Sequence, residues 1–503
     1  MVNNKELPAF CRLCLWGEWM AQILKRFFAV EGMLKPGELK GVLPSSQDMY
    51  QRLTRIAIPS VVEMVFMSVI SSVDMIMLRG LDNPATAIAA VGLAGQPRML
   101  ALSVFFALNV GVTAIVSRRK GEERQEDANR ALRNAMLIVL VFALFVGGAS
   151  VLWARPLLLF AGAQPDTIDM AVSYFTIMSY FTPISVLTMC INSALRGVGN
   201  TKAPMYNNIV ANLSNAFLNT FFIYGLKSSS GGYIIEPMEV AGAAWASGIG
   251  ICIGFALCLA SVTLNKNMGA FLHLSLKDNW RLHKETVQSI FKVGGNAALE
   301  QIAMRIGFFT YAIIVASLGT NAVAAHHVGM QFLSLSFTFG DGIAVAATSL
   351  VGQSLGQKRP DLASIYSTCA QRISLCSSFI LATLIAIFRA PLIGIFLDSS
   401  LASNAEPFAM AMNVLIVISL FQPLQMVNIV IVGCLRGAGD NLHVAIVMII
   451  CVVFIRPILS FVAINYLHLG LIGAWCSALI DMSIRLTLTR SRFKSGKWQL
   501  KKV

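Results

Sequence analysis

Charge is scarce in this chain: of 503 residues only 13% are Asp, Glu, Lys or Arg, and just 25 are acidic. A solvated domain carries about a quarter of its residues charged to coat its surface, so a soluble globular enzyme is excluded. The sequence also lacks an N-terminal signal peptide: the first fifty residues, with Trp16, Trp19, Phe27 and Phe28 among Lys25 and Arg26, have no basic stretch, apolar core and small-residue cleavage site in that order. No Ser/His/Asp set, zinc motif or nucleotide fingerprint stands in a fitting context. Catalysis and ATP-driven pumping are therefore disfavoured, and no cofactor is expected. Cys190, Cys252, Cys258, Cys369, Cys376 and Cys434 sit inside apolar runs without metal-ligand spacing among them, and are read as core fillers.

What the chain has instead is apolar length. Hydrophobic residues make up 56% of it, the mean hydropathy is +0.69, and runs of the roughly 20 residues needed to cross a bilayer recur from Arg55 almost to Arg490. The bilayer is the solvent and partner. The net charge of +14 is scattered over short loops and tails, which argues against nucleic acid. Apolar segments fall near 55–79, 86–117, 131–153, 167–192, 203–225, 240–264, 287–318, 322–354, 364–388, 407–433, 442–466 and 470–489. Lys and Arg collect on alternate connections, at Arg118, Arg119, Lys120 and Arg124, then Arg196 and Lys202, then Lys277, Arg281 and Lys284, then Lys358 and Arg359, then Arg436. The positive-inside rule makes that side, and with it both termini, cytoplasmic.

An internal repeat organises the segments. Ala87, Gln96, Thr113 and Gly121 recur 235 residues later as Ala322, Gln331, Thr348 and Gly356; Phe181, Pro183, Leu195, Arg196 and Gly197 recur 240 later as Phe421, Pro423, Leu435, Arg436 and Gly437. Glu63 answers to Glu300 in the first helix of each half, and Ala244-Trp245 with Ser247 answers to Ala474-Trp475 with Ser477. The expected fold is all-α and polytopic, with twelve transmembrane helices in two parallel-repeat six-helix lobes. The expected division is a cytoplasmic N-terminal tail over 1–50, an N-lobe over 51–264, a linker over 265–286, a C-lobe over 287–490 and a basic tail over 491–503. Two similar lobes can rock about a central cavity, which gives transport a physical basis.

An ionisable group inside a membrane costs at least a few kcal/mol and is functional by default. Glu63 and Asp74 are eleven residues apart on the first helix, which returns them to nearly one face, with Asp74 toward the outer end. Asn215 and Asn219, spaced i, i+4 on the fifth helix, point together and suit a hard cation or a protonated Asp, though asparagine is also common glue between membrane helices. The second lobe offers Glu300, Asp341, Arg305, Arg456 and Asp481. Arg456 is expected to pair with Glu300 or Asp341, and Asp481 with Arg485 one turn on. His326 and His327 are given a structural or interfacial role. Pro183 and Pro423 are read as mid-membrane kinks and hinges. The Arg196-Gly-Val-Gly-Asn200 and Arg436-Gly-Ala-Gly-Asp440 turns end helices, with the Arg available to bind the orphan carbonyls.

Pro59 with Val73-Asp74, the paired Leu-Arg-Gly-x-Gly-Asn/Asp turns, Gly-Ala-Ala-Trp-Ala-Ser over 242–247 and Val351-Gly-Gln-Ser-Leu-Gly356 resemble the multidrug and toxic compound extrusion (MATE) transporters of bacteria, over roughly residues 50–490. The resemblance implies a V-shaped inner-membrane protein that exports organic, often cationic and lipophilic, small molecules in exchange for sodium ions or protons, expected here as a monomer. Carried over by position, it gives Asp74 the role of the first-helix cation acid, with Asn215, Asn219 and Ser247 around it as a seat for a proton or Na+; Pro59 joins the hinge candidates. Asn219 stands where the family usually has a second Asp, and Gln425 where a sodium-linked branch has an acid. Those departures tilt the reading to protons and to a DinF-like rather than NorM-like branch. A flippase for lipid-linked sugars, and a channel or non-transporting receptor, are the alternatives.

Overall fold

The computed structural model of the chain describes residues 22, 25–34, 37–81, 83–227, 233–264, 270–275, 277–397 and 405–501; the side chains at 71–75, 79, 85, 227 and 235 are outside that description. Within it the chain forms twelve long helices: α1 (Ser46–Met77), α2 (Pro84–Gly121), α3 (Gln125–Leu152), a broken α4 (Ile168–Tyr180 and Thr182–Gly197), α5 (Lys202–Tyr224), α6 (Glu239–Thr263), α7 (Lys284–Ala316), α8 (Thr320–Gly356), α9 (Pro360–Ile387), α10 (Ala405–Gly437), α11 (Asn441–Asn465) and α12 (Gly470–Lys494). Helix is imposed by the solvent: lipid offers no partner for a backbone N–H or C=O, so each segment must satisfy its own. Ten of these helices are long and apolar enough to span, and the two arms of α4, bent by 51°, make an eleventh. The twelfth, α5, falls short in hydropathy because it carries Asn207, Asn208, Asn212, Asn215 and Asn219. Among the described residues the one departure from all-α is a short antiparallel pairing of Leu226–Lys227 with Tyr233–Ile235 between α5 and α6.

The repeat extends to backbone detail. Short helices follow α3 and α9 at Ala154–Phe160 and Arg389–Gly394. Glu123 and Lys358, 235 positions apart, both take a left-handed φ of 59°, and in each case the next residue's N–H returns to a carbonyl five back: Arg124 to Arg119 and Arg359 to Ser354. Gly199 and Gly439, at φ 85° and 82°, end α4 and α10 in the turn that glycine favours. Pro183 lies in the first turn after the α4 break, whereas its counterpart Pro423 and Pro59 sit inside continuous helices.

The described parts of both tails pack on the second half. Val30, Met49, Leu53 and Ile56 share one buried cluster with Leu350 and Val351 of α8, Cys369 of α9 and Leu435 of α10. Arg372 Nη1 donates to the Ala29 carbonyl at 3.0 Å, and the Lys40 N–H donates to Asp361 Oδ2 at 3.2 Å. The chain thus enters α1 strapped across the second half. At the other terminus Trp498 is fully buried, stacked on Phe493 with centroids 5.1 Å apart, and Arg492 Nε donates to Asp440 at 2.6 Å. The described part of the linker docks on the first half: Leu272 and Leu274 are buried and Arg133 meets Asp278 at 2.9 Å. Outward-facing Phe145, Phe160, Phe309 and Ile380 are exposed, as a lipid-facing belt requires. The described cysteines are free; Cys258 also donates its thiol to Asn192. Cys11 and Cys14, a C-x-x-C pair that the core-filler reading does not cover, lie outside the described residues with most of the first tail.

Truncating a fully buried tryptophan costs roughly 3–5 kcal/mol. Trp498→Ala is expected to lower the thermal unfolding midpoint of the detergent-solubilised protein, while Lys497→Ala beside it leaves the midpoint unchanged; equal midpoints for the two variants would show that the C-terminal tail does not anchor.

Candidate functional site

The two halves meet through backbone. A β-carbon on Gly121 would collide with the Gln353 backbone, and one on Gly356 with the Arg118 carbonyl and, at 2.9 Å, the Gly121 Cα. Gly121 and Gly356 are counterparts in the repeat, so their mutual contact marks the pseudo-two-fold axis. Gln353 Nε2 and Ser349 Oγ both donate to the Gly197 carbonyl, at 3.1 and 3.0 Å, tying α8 to the end of α4. Gly342 lies against Val61, and Gly111 against the Ile290 carbonyl. These contacts run from mid-helix to the end that carries the Lys/Arg-rich connections, here called the basic end. A cavity of about 420 Å³ opens beside them. Its wall holds Arg52, Arg55, Lys120 and Lys202 and no acid, which makes it a poor seat for an organic cation.

Each half buries one glutamate against one arginine. Glu63 is fully buried and accepts from Arg196 Nη2 at 2.5 Å and from Asn208 Nδ2. Glu300, equally buried, accepts from Arg436 Nη2. The reading of Arg196 and Arg436 as carbonyl caps is corrected here. The orphan carbonyls are met by backbone N–H groups, Gly199 and Asn200 returning to Arg196 and Leu195 as Gly439 and Asp440 return to Arg436 and Leu435, so the guanidinium is left to reach the acid. Asp341, half-buried on α8, lies in the field of both Arg436 and Glu300.

The first half also gathers amides. Asn215 Nδ2 donates to Ser247 Oγ at 3.0 Å, joining α5 to α6, and Asn219 is buried one turn on. Asn207 Nδ2 donates to Cys258 and Ser261, both at 3.3 Å. The side chain of Asp74 lies outside the described residues, but its helix position does not. Helices α1 and α5 both begin at the basic end, and Tyr224 near the end of α5 donates to the Met77 carbonyl near the end of α1. Glu63 is level with Asn208, and an eleven-residue step along each helix, roughly 16 Å, brings position 74 level with Asn219. Glu63 and Asp74 therefore belong to different depths rather than to one nest.

In the second half Arg456 pairs with neither Glu300 nor Asp341. Its Nε and Nη2 donate to Asp481 Oδ2 at 3.0 and 2.8 Å, and Arg485 donates to the same oxygen at 2.5 Å. The expected Asp481–Arg485 contact is present; the partner of Arg456 was misassigned because α11 inserts a π-helical stretch at Ile449–Ile455 that turns the residues after it. Arg305 is exposed; His326 is buried against Tyr311 and Trp475, and His327 is exposed. Gln425 is buried. The residues that sequence reasoning missed are Arg196, Arg436 and Asn208. The first two carried a signal, since acid and base recur together at nearly equal offsets; Asn208 carried none.

Comparison with known proteins agrees with this architecture. The family model described as MatE matches residues 59–221 and 297–462, one stretch in each half. The chain is 27% identical over 469 residues, 92% of its own length, to 97% of a probable multidrug resistance protein NorM of Thermotoga maritima. It is 25% identical over 442 residues, 88% of its length, to 93% of the uncharacterized transporter YisQ of Bacillus subtilis. Among solved structures, a transporter of the MOP superfamily from Pyrococcus furiosus, described as having a binding pocket of reverse polarity, superposes with a TM-score of 0.80 at 20% identity, over 89% of this chain and 97% of that one. An outward-facing multidrug resistance MATE family transporter gives 0.78 at the same identity and coverage.

Removing one partner of a buried ion pair costs roughly 3–5 kcal/mol, while replacing both with apolar groups is often near neutral. Arg196→Met is expected to destabilise the solubilised protein strongly and Glu63→Leu/Arg196→Met to recover most of the loss, with Glu300 and Arg436 behaving alike. A double variant as unstable as the sum of its singles would show that the pairs do not act as units.

Proposed function

Because the chain belongs to the MatE family, with 97% of a multidrug-resistance relative's length matched, we propose that it exports small organic compounds in exchange for protons or sodium ions by alternating access. The observation that carries this reading is the seam: two repeats closed on each other through Gly121 and Gly356 at one end, with a buried amide cluster level with an acidic position inside one of them. The basic end is taken as cytoplasmic and the membrane as the bacterial inner membrane, so the structure corresponds to a state sealed inward. The lobes are 51–264 and 287–490, joined by 265–286, and the protein works as a monomer. Flippase and channel readings are not carried further, since the family and its named relatives are transporters of another kind.

Asp74 is the coupling acid in this proposal, with Asn215, Asn219 and Ser247 holding it in either charge state. A carboxylate in low dielectric needs a compensating proton or cation, and exchange follows if neutralisation lowers affinity for the exported compound. With Asn219 in place of a second acid, protons are the favoured ion, as is the DinF-like branch. Glu63 and Glu300 are already met by Arg196 and Arg436, so they tune stability and lobe polarity rather than carry the ion. Asp341 is the one second-lobe acid of that group without a guanidinium of its own. Pro59, Pro183 and Pro423 serve as hinges, and 23 Met and 30 Phe supply adaptable apolar surface for lipophilic or cationic cargo.

Dye efflux from proteoliposomes under separately imposed proton and sodium gradients tests the proposal. Asp74→Asn is expected to abolish gradient-driven export while the protein still folds and inserts, Glu300→Gln to reduce it partially, and Asn219→Asp to raise sodium stimulation. Undiminished gradient-dependent export by Asp74→Asn would remove this site from the mechanism.

A further inference from the structure

The second lobe holds a second polar cluster that the coupling scheme does not use. Arg456, Asp481 and Arg485 are all buried, and both guanidiniums bind one carboxylate oxygen. Two positive charges on one negative leave a surplus of one. Asp341, the acid in excess in this lobe, has Arg436 and Glu300 as its charged neighbours instead. The groups around the cluster add hydrogen-bond donors. Tyr311 lies under the Arg456 guanidinium with its ring centre at 5.6 Å, His326 packs on Tyr311 at 5.5 Å, and Trp475 on His326 at 5.4 Å. Tyr311 Oη, Trp475 Nε1, Arg485 Nε and Ser460 Oγ, one turn beyond Arg456, are buried without hydrogen-bond partners among the described residues. Trp475 Nε1 and Arg485 Nε can only donate. The acceptor capacity left over is Asp481 Oδ1 and His326 Nδ1.

The repeat explains what this cluster stands for. At the offset of 240 that relates Asn200 to Asp440, Asn215 corresponds to position 455. The π-helical stretch ending at Ile455 takes up one residue, so Arg456 occupies the place of Asn215. On the next helix Ser247 corresponds to Ser477, and Asp481 lies one turn beyond it. Where the first lobe has an amide donating to a hydroxyl, the second has a guanidinium donating to a carboxylate, with Arg485 added. A fixed internal cation thus occupies the position at which the first lobe can receive a mobile one, and the electrostatic demand is reversed.

We propose that the Arg456–Asp481–Arg485 cluster, with Tyr311 and Ser460, is a binding site for a monovalent anion, either a free halide or the carboxylate of a transported compound. A buried charge surplus of one sign is costly until an opposite charge joins it, and unmet buried donors add to the demand. The anion would stabilise the second lobe independently of the cation exchanged in the first.

The full chain, purified in detergent, is tested for radiolabelled chloride binding and for thermal unfolding in sodium chloride, sodium benzoate or sodium methanesulfonate, the last neither a halide nor a carboxylate, at equal ionic strength. Saturable chloride binding with a raised midpoint in chloride over methanesulfonate is expected; stabilisation by benzoate alone assigns the site to a carboxylate. Arg485→Gln leaves a neutral Arg456–Asp481 pair and is expected to weaken the anion response about tenfold, the scale of one charged hydrogen bond. Tyr311→Phe should weaken it as well, and Arg155→Gln, on the exposed Arg155–Asp169 pair, should not. No saturable binding and no midpoint difference among the three salts would overturn the proposal, as would an unchanged anion response in Arg485→Gln; should that variant not fold, an unchanged response in Tyr311→Phe overturns it. Because the readout is binding rather than export, failure here leaves the antiport reading standing, and loss of export in Asp74→Asn does not bear on the anion.

Discussion

The two halves are joined at a contact in which backbone meets backbone. Gly121 and Gly356 let α2 and α8 approach backbone to backbone, and Gly197 and Gly437 do the same within each half, against the Thr113 and Thr348 carbonyls. In lipid no hydrophobic force drives helices together, so close van der Waals approach and interhelical hydrogen bonds carry the association. In the proposed exchange cycle this seam is the contact that would have to open.

The same low dielectric governs the charges. A lone buried carboxylate would be costly, and each half solves this in the same way, with Glu63 on Arg196 and Glu300 on Arg436. These pairs span first helix to fourth and first to fourth again, so they brace each half where it meets the seam. The deeper sites diverge. One half keeps neutral amides there, while the other installs two arginines on one aspartate. Duplication thus gave the halves a common frame, and substitution at one level of it gave them opposite electrostatic character.

The tails and linker add a third layer. Residues 25–34 and 37–45 run along α9 before α1 begins, with Arg359 and Arg372 donating to backbone carbonyls of that strap, and the C-terminal turn closes on α9 through Gln499 and Ser364 at 2.9 Å. The described parts of both terminal segments are therefore bound to the second half at the basic end. Motion of one half against the other must carry the strap or bend it before Ser46.

Much of this was legible without coordinates. Helix number, the repeat, the turn glycines and the placement of Glu63, Glu300, Asn215 and Asn219 on membrane helices follow from apolar length and periodicity, because a segment in lipid has little choice but to be a helix whose polar residues stand out against it. The hydrogen-bonded Asn215–Ser247 contact joins two residues that the family resemblance had grouped. Which charges meet was not legible. Arg196 crosses 133 residues to reach Glu63, and Arg456 turns to Asp481 because seven residues of π-helix precede it. Such pairings depend on the rotation of each helix about its own axis, and a one-residue change in winding shifts that rotation by about 100°. Composition and periodicity determine that a helix exists and which residues it carries; only packing against its neighbours decides which way it faces.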